Sequence, residues 1–111
     1  MLTFTKSQRL LHKRDYDFVF AKAERLSNAN VILLYRPNLG EHPRLGLAIA
    51  KKVVAKACDR NRLKRLIRES FRQAALPAID IIMLAKKGVH TVDNRVILDN
   101  LRLLWGKLGK Q

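Results

Sequence analysis

Apolar positions along this chain recur in two rhythms, and the switches between them mark its elements. Over residues 13–25, Tyr16, Val19, Phe20 and Ala23 return at three- to four-residue spacing, which predicts a helix with one apolar face. Ser27 and Asn28 break that pattern. Val31, Ile32, Leu33, Leu34 and Tyr35 then form an unbroken apolar run between Asn30 and Pro37, which predicts a strand. Residues 37–43 are rich in Pro, Asn and Gly and read as a turn, so the strands on either side are expected to form a hairpin.

The second strand, residues 44–51, alternates. Leu45, Leu47 and Ile49 share one side, while Gly46, Ala48 and Ala50, followed by Lys52, share the other. The first side reads as core. The second is small and smooth, suited either to a closely packed helix or to the floor of an open cleft where a chain lies flat. The first strand is apolar throughout, so its own pattern leaves open whether Leu33/Tyr35 or Ile32/Leu34 face that cleft.

Asp59 is placed to cap a second helix, which runs to about Ala75 ahead of Pro77. Residues 79–85 (IDIIMLA) predict a third strand, ended by Lys86, Lys87 and Gly88. Asp93 or Thr91 opens a last helix to about Leu108. Its apolar stripe is Val96/Ile97, Leu101, Leu104/Trp105 and Leu108, with Trp105 as a core anchor. The predicted order is α-β-β-α-β-α, preceded by a basic, partly extended arm over residues 1–12. With no repeat, low-complexity tract or Ser/Gly linker, 111 residues suit a single domain.

Charge changes the picture. The chain holds 23 Lys/Arg against 9 Asp/Glu, a formal net charge of +14, although 48% of it is hydrophobic and able to form a core. Self-repulsion at that level opposes folding, so a polyanionic partner is expected, nucleic acid foremost. The single cysteine, Cys58, excludes an internal disulfide and reads as a small buried or half-exposed residue before the second helix. The first six residues lack an apolar stretch long enough for a signal peptide. The longest aliphatic run, residues 81–85, falls far short of the ~18 residues of a membrane span. A cytoplasmic location is expected.

The charge is concentrated. Between Lys51 and Arg72 nine Lys/Arg face only Asp59 and Glu69, a net +7 and half the total. On a helical wheel Leu63, Leu66, Ile67, Ser70, Phe71 and Ala74 gather on one side, and Asn61, Lys64, Arg65, Arg68 and Arg72 on the other. Ordinary solvated helices interleave both signs. This one does not. Arginine predominates, which favours bidentate phosphate contacts. Arg60 to Arg62 are expected in the first helical turn, where the helix dipole also favours phosphate. If the face neutralises about six phosphates, affinity falls on the order of 10³-fold between 50 and 200 mM salt. On the first helix, Tyr16 and Phe20 lie one turn apart among Lys13, Arg14 and Lys22. Rings among cations are the ingredients of single-strand binding, although such pairs more often serve a core.

No catalytic constellation accompanies these features. His12, His42 and His90 are scattered, and no His/Cys/carboxylate group has metal-ligand spacing. Asp15 and Asp17 diverge on a helix and make a poor two-metal pair. The glycines build no phosphate loop. Neither a catalytic nor a metal site is expected in the protein itself.

Residues 60–69 (RNRLKRLIRE) closely resemble the arginine-asparagine-arginine signature of the protein subunit of bacterial ribonuclease P, in its proteobacterial form. Further resemblance covers residues 11–20 (LHKRDYDFVF), 42–52 (HPRLGLAIAKK) and 77–88 (PAIDIIMLAKKG), and Asp93-Asn94-Arg95 with Trp105. Tyr16 departs from the phenylalanine of many members, which keeps the stacking face and adds a hydroxyl. The chain ends soon after Trp105, so no role is expected for a longer basic tail.

The resemblance implies an α+β sandwich around a central mixed sheet. It also implies a left-handed β-α-β crossover through the arginine-rich helix, against the strong right-handed default. It implies endonucleolytic removal of the 5′ leader of precursor tRNA, with the catalytic Mg²⁺ ions held by an RNA subunit and no cofactor bound by the protein alone. Arg60, Asn61, Arg62, Lys64, Arg65, Arg68 and Arg72 would bind that RNA. Tyr16, Phe20, Ala48, Ala50 and Lys52 would form the leader cleft. The expected assembly is a monomer in a 1:1 complex with the RNA, with no protein partner and no membrane. A structural RNA-binding protein would explain the charge but not a small-residue floor beside an aromatic pair. A membrane-binding helix would need Leu63, Ile67 and Phe71, which the core claims.

Overall fold

The layout of the sheet follows from one segment, Ile79–Ala85, in which six of seven side chains are buried. A strand apolar on both faces belongs in the middle of a sheet with layers on each side. That is its place in the computed structural model, which describes residues 9, 10, 12–40 and 42–109. The four strands are β1 (Glu24–Ser27), β2 (Val31–Pro37), β3 (Arg44–Ala48) and β4 (Ile79–Ala85), in the spatial order β1-β2-β4-β3. β4 pairs antiparallel with β2 and parallel with β3.

Two expectations are corrected here. The first helix, α1, is short, Lys13–Ala21, and residues 24–27 form β1 instead of its last turn. The order is therefore α-β-β-β-α-β-α. The hairpin is also elsewhere: β2 pairs with β1, not with β3, because β4 takes the position between β2 and β3. The loop over residues 38–43, of which Glu41 lies outside the described residues, spans that gap.

The chain runs from β3 to its parallel neighbour β4 through α2 (Ala57–Gln73), the crossover element. α2 starts earlier than expected. Lys56 is its N-cap and Asp59 sits inside the first turn, where a carboxylate suits the helix dipole. Cys58 lies within the helix and is exposed, not buried before it. The last helix, α3 (Asn94–Gly109), follows a 3-10 turn over Val89–Thr91.

The register separates the two faces of the sheet. Leu33, Met83 and Leu47 form one row, and Tyr35, Ile81 and Leu45 the next. These rows meet α2 and α3 in the main core, with Leu63, Ile67, Phe71, Leu101 and Trp105. Phe71 and Trp105 meet edge to face at 5.9 Å, and Trp105 Nε1 donates to the buried Ser70 hydroxyl at 2.6 Å. The alternate residues point to the opposite face, which α1 covers with Val19 over Ile82. Of the N-terminal arm, residues 1–8 and 11 lie outside the described residues. Arg9 bridges to Leu45 in parallel, and the Leu10 N–H donates to the Leu45 carbonyl at 3.0 Å along the outer edge of β3.

Candidate RNA interface

The α1 side of the sheet carries three rows across β2, β4 and β3: Arg36–Asp80–Arg44, Leu34–Ile82–Gly46 and Ile32–Leu84–Ala48. The open question of the first strand is thereby resolved. Ile32 and Leu34 share the face of Ala48, whereas Leu33 and Tyr35 belong to the main core.

α1 is fastened to the charged row along one flank only. Asp80, with no exposed surface, accepts from Arg44 Nε at 2.8 Å, from Arg44 Nη2 at 2.6 Å and from Asn38 Nδ2 at 2.8 Å. Arg44 also stands 3.8 Å from Asp15 of α1. Its guanidinium pKa is raised, first by the hydrogen bonds to Asp80, so the charge on the clamp is secure. Further along the helix, the Arg36 guanidinium lies 3.7 Å over the Phe18 ring and donates to the Phe18 carbonyl at 2.6 Å. Phe18 is thus a surface residue held by a cation, not core.

The other flank overlooks the remaining rows. Tyr16 rests on Gly46 so closely that a Cβ there would sit 2.8 Å from the ring. The glycine is what admits the ring. Phe20, one turn along the same flank, is half exposed at 50%. Tyr16, Ala48 and Leu84 pack against the same small cluster of Leu10, Val19 and Ile82, and Phe20 stands on the Tyr16 flank of α1.

Ala50 and Lys52 do not continue the alternation. β3 ends at Ala48, and the Ala50 carbonyl accepts the N–H groups of Val53 and Val54 at 3.0 Å, turning the chain. Both residues are exposed beyond the strand end. Because β3 and β4 are parallel, Lys51 and Lys52 leave the sheet at the same end as Lys86 and Lys87. Four lysines thus stand at one end of the sheet. The sequence holds both pairs, but only the parallel pairing shows that they share that end.

On α2, the side chains expected to face outward divide into two groups. Asn61, Arg65 and Arg68 are exposed and Lys64 and Arg72 half-buried, and none forms an ion pair among the described residues. Arg60 and Arg62 are engaged with the fold. Arg60 Nη1 donates to the carbonyls of Val54 at 2.9 Å and Ala55 at 2.8 Å. Arg62 donates to the His90 carbonyl at 2.8 Å and to Asn94 Oδ1, tying α2 to the start of α3. Nor do they occupy the free N–H groups of the helix end, since the Arg60 N–H already donates to the Lys56 carbonyl at 3.1 Å.

The two surfaces meet. Lys64 and Arg68 line, with Arg9, Tyr16, Gly46 and Leu47, an open pocket of about 220 Å³ beside β3. The acids, in contrast, are dispersed: Asp15 and Asp80 serve Arg44, Asp17 pairs with Lys13 at 2.8 Å and Asp99 with Arg102 at 3.5 Å. Among the described residues no three His, Cys, Asp or Glu side chains are placed to hold a metal ion.

A cation-studded helix face beside an aromatic-walled sheet floor, on an α+β scaffold, defines a nucleic-acid-binding protein. The family follows from comparison. Residues 4–109 match the Ribonuclease P family model. The ribonuclease P protein component of Legionella pneumophila (strain Corby) is 51% identical over 109 residues, covering 98% of this chain and 96% of that protein. The Staphylococcus aureus RNase P protein superposes with a TM-score of 0.83 at 28% identity, over 94% of this chain and 99% of that one. The Thermotoga maritima RNase P protein superposes at 0.77 and 31% identity, over 93% and 96%. The chain belongs to the ribonuclease P protein family. It is the protein component of an endoribonuclease of tRNA 5′ maturation, and it supports an RNA catalyst.

Proposed function

We propose that the chain docks on the catalytic RNA through the outer face of α2 and lays the 5′ leader of precursor tRNA along the Ile32–Leu84–Ala48 floor. The observation that carries this reading is the one-sided attachment of α1. Asp15 and Phe18 hold one flank to the arginines of the charged row, which leaves Tyr16 and Phe20 as the wall of an open groove. Bases stack on that wall, while Lys51, Lys52, Lys86 and Lys87 track the phosphates. Ala50 and Lys52 serve at the mouth of the groove instead of on its floor.

Asn61, Lys64, Arg65, Arg68 and Arg72 meet the RNA subunit. Arg60 and Arg62 set the position of that face through their carbonyl contacts, and a guanidinium has five donors, so each keeps some for phosphate. The Mg²⁺ ions of the reaction belong to the RNA subunit, consistent with carboxylates that are dispersed over this chain. The working unit is one protein domain on one RNA in the cytoplasm, with no further protein partner; none of the helices among the described residues is long and apolar enough to cross a membrane.

The test reconstitutes the protein with its cognate RNA subunit and compares precursor with mature tRNA at low Mg²⁺. The expected result is no cleavage by the protein alone, a large gain on adding it to the RNA, and tighter binding of the precursor only when the protein is present. Equal cleavage with and without the protein overturns the reading. Equal protein-dependent gains in affinity for precursor and mature tRNA overturn the leader groove.

A further inference from the structure

The floor of the groove does not stop at β2. Register partners continue it onto β1, where Arg25 lies opposite Leu34 and Ser27 opposite Ile32. Both therefore point to the α1 face, while Leu26, between them, points into the main core. Ser27 extends the Ile32–Leu84–Ala48 row by one strand, and Arg25 extends the row behind it. Both are exposed, and Arg25 forms no ion pair among the described residues. Glu24, the adjacent acid, alternates to the opposite face and cannot neutralise it across the strand.

The two ends of this floor differ in what stands beside them. At the β3 end, Lys64 and Arg68 of α2 share a pocket with Tyr16 and Gly46. On the docking reading above, the RNA-binding face adjoins β3, and a leader leaving the RNA-bound tRNA would enter the groove there. β1 lies three strand spacings away, roughly 14 Å. A single strand crossing the floor reaches Arg25 last.

We infer that Arg25 and Ser27 form a distal subsite for the sugar-phosphate backbone of the single-stranded leader, occupied only when the leader is long enough to cross the whole sheet. The Arg25 guanidinium takes a phosphodiester, and the Ser27 hydroxyl offers a donor and an acceptor to a phosphate or a 2′-hydroxyl. The subsite rests on the leader-groove reading and adds to it a dependence on leader length.

The experiment measures affinity of the reconstituted holoenzyme for precursor tRNAs whose leaders are shortened one nucleotide at a time. Wild-type protein is compared with Arg25→Ala and Arg25→Lys. On long leaders Arg25→Ala is expected to weaken binding on the order of tenfold and to lower the salt slope by about one unit. Arg25→Lys recovers most of the loss. Below a threshold leader length the three proteins bind alike. A loss of the same size at every length, or no loss at any, overturns the subsite. If wild-type affinity itself ignores leader length down to mature tRNA, the groove reading fails as well. A length-dependent wild type with an indifferent Arg25→Ala rejects the subsite alone.

Discussion

The two faces of this sheet are made by alternate residues of the same strands, yet they are built to different rules. On the α2/α3 side, Leu33, Leu45, Ile81 and Met83 are at most 2% exposed and meet helices that close over them completely. On the α1 side, a single short helix covers part of the surface and is held by charge along one flank. The first face supplies the hydrophobic free energy. The second buries only a small cluster around Val19 and Ile82, and the residues beyond it are left accessible from outside the protein. Alternation along a strand thus divides stability from recognition at a spacing of one residue.

Substitutions test that contrast, and their expected effects fall in a clear order. Phe71→Ala removes a fully enclosed ring and its edge contact with Trp105. It should cost about 3–5 kcal/mol in denaturant unfolding, enough to threaten the fold. Arg44→Ala lies on the recognition face but acts on stability. It leaves Asp80 buried and still accepting from Asn38 Nδ2, and should cost about 2–3 kcal/mol. Because Arg44 also faces Asp15, a stability loss well under 1 kcal/mol would show that the clamp on α1 contributes little.

Phe20→Ala should leave the melting temperature nearly unchanged and weaken precursor binding by about 1–3 kcal/mol, as expected of a stacking ring. A large drop in melting temperature with intact binding would assign Phe20 to the core and erase the contrast. Arg65→Ala and Arg68→Ala should each change stability by less than about 0.5 kcal/mol and lower the salt slope for the RNA subunit by about one unit. An unchanged slope would move the RNA contact off α2.

Sequence pattern fared unevenly between these faces, for physical reasons. The amphipathic wheel of α2 sorted correctly. Leu63, Leu66, Ile67, Ser70 and Phe71 are all buried, because a helical stripe is a local property of periodicity, whereas Ala74 lies past the helix end and is half-buried. β1 was missed because Glu24-Arg25-Leu26-Ser27 offers one apolar residue, and a helix pattern runs into it without a break. The hairpin between β2 and β3 was a misreading of proximity along the chain. The usable signal was in β4, which is apolar at every position but Asp80 and so asks for a central position that excludes β2–β3 pairing.

The parity of β2 could not be read within β2, since every residue from Val31 to Tyr35 is apolar. It is decided by partners on β4 and by Gly46, which alone lets Tyr16 approach. Arg60 and Arg62 look like the rest of the α2 cations in sequence. Only the tertiary carbonyls around them distinguish an arginine that braces the helix from one that faces outward.

The contact between the N-terminal arm and β3 has a consequence of another kind. β3 lies at the margin of the sheet, and its unpaired backbone groups would offer a template on which a second copy could add a strand. Arg9 and Leu10 occupy that template, with Leu10 buried beside Val19 and Ile82. A strand arriving from a second copy would first have to displace Leu10 from its bond to Leu45, so these two residues work as a selvage on the sheet.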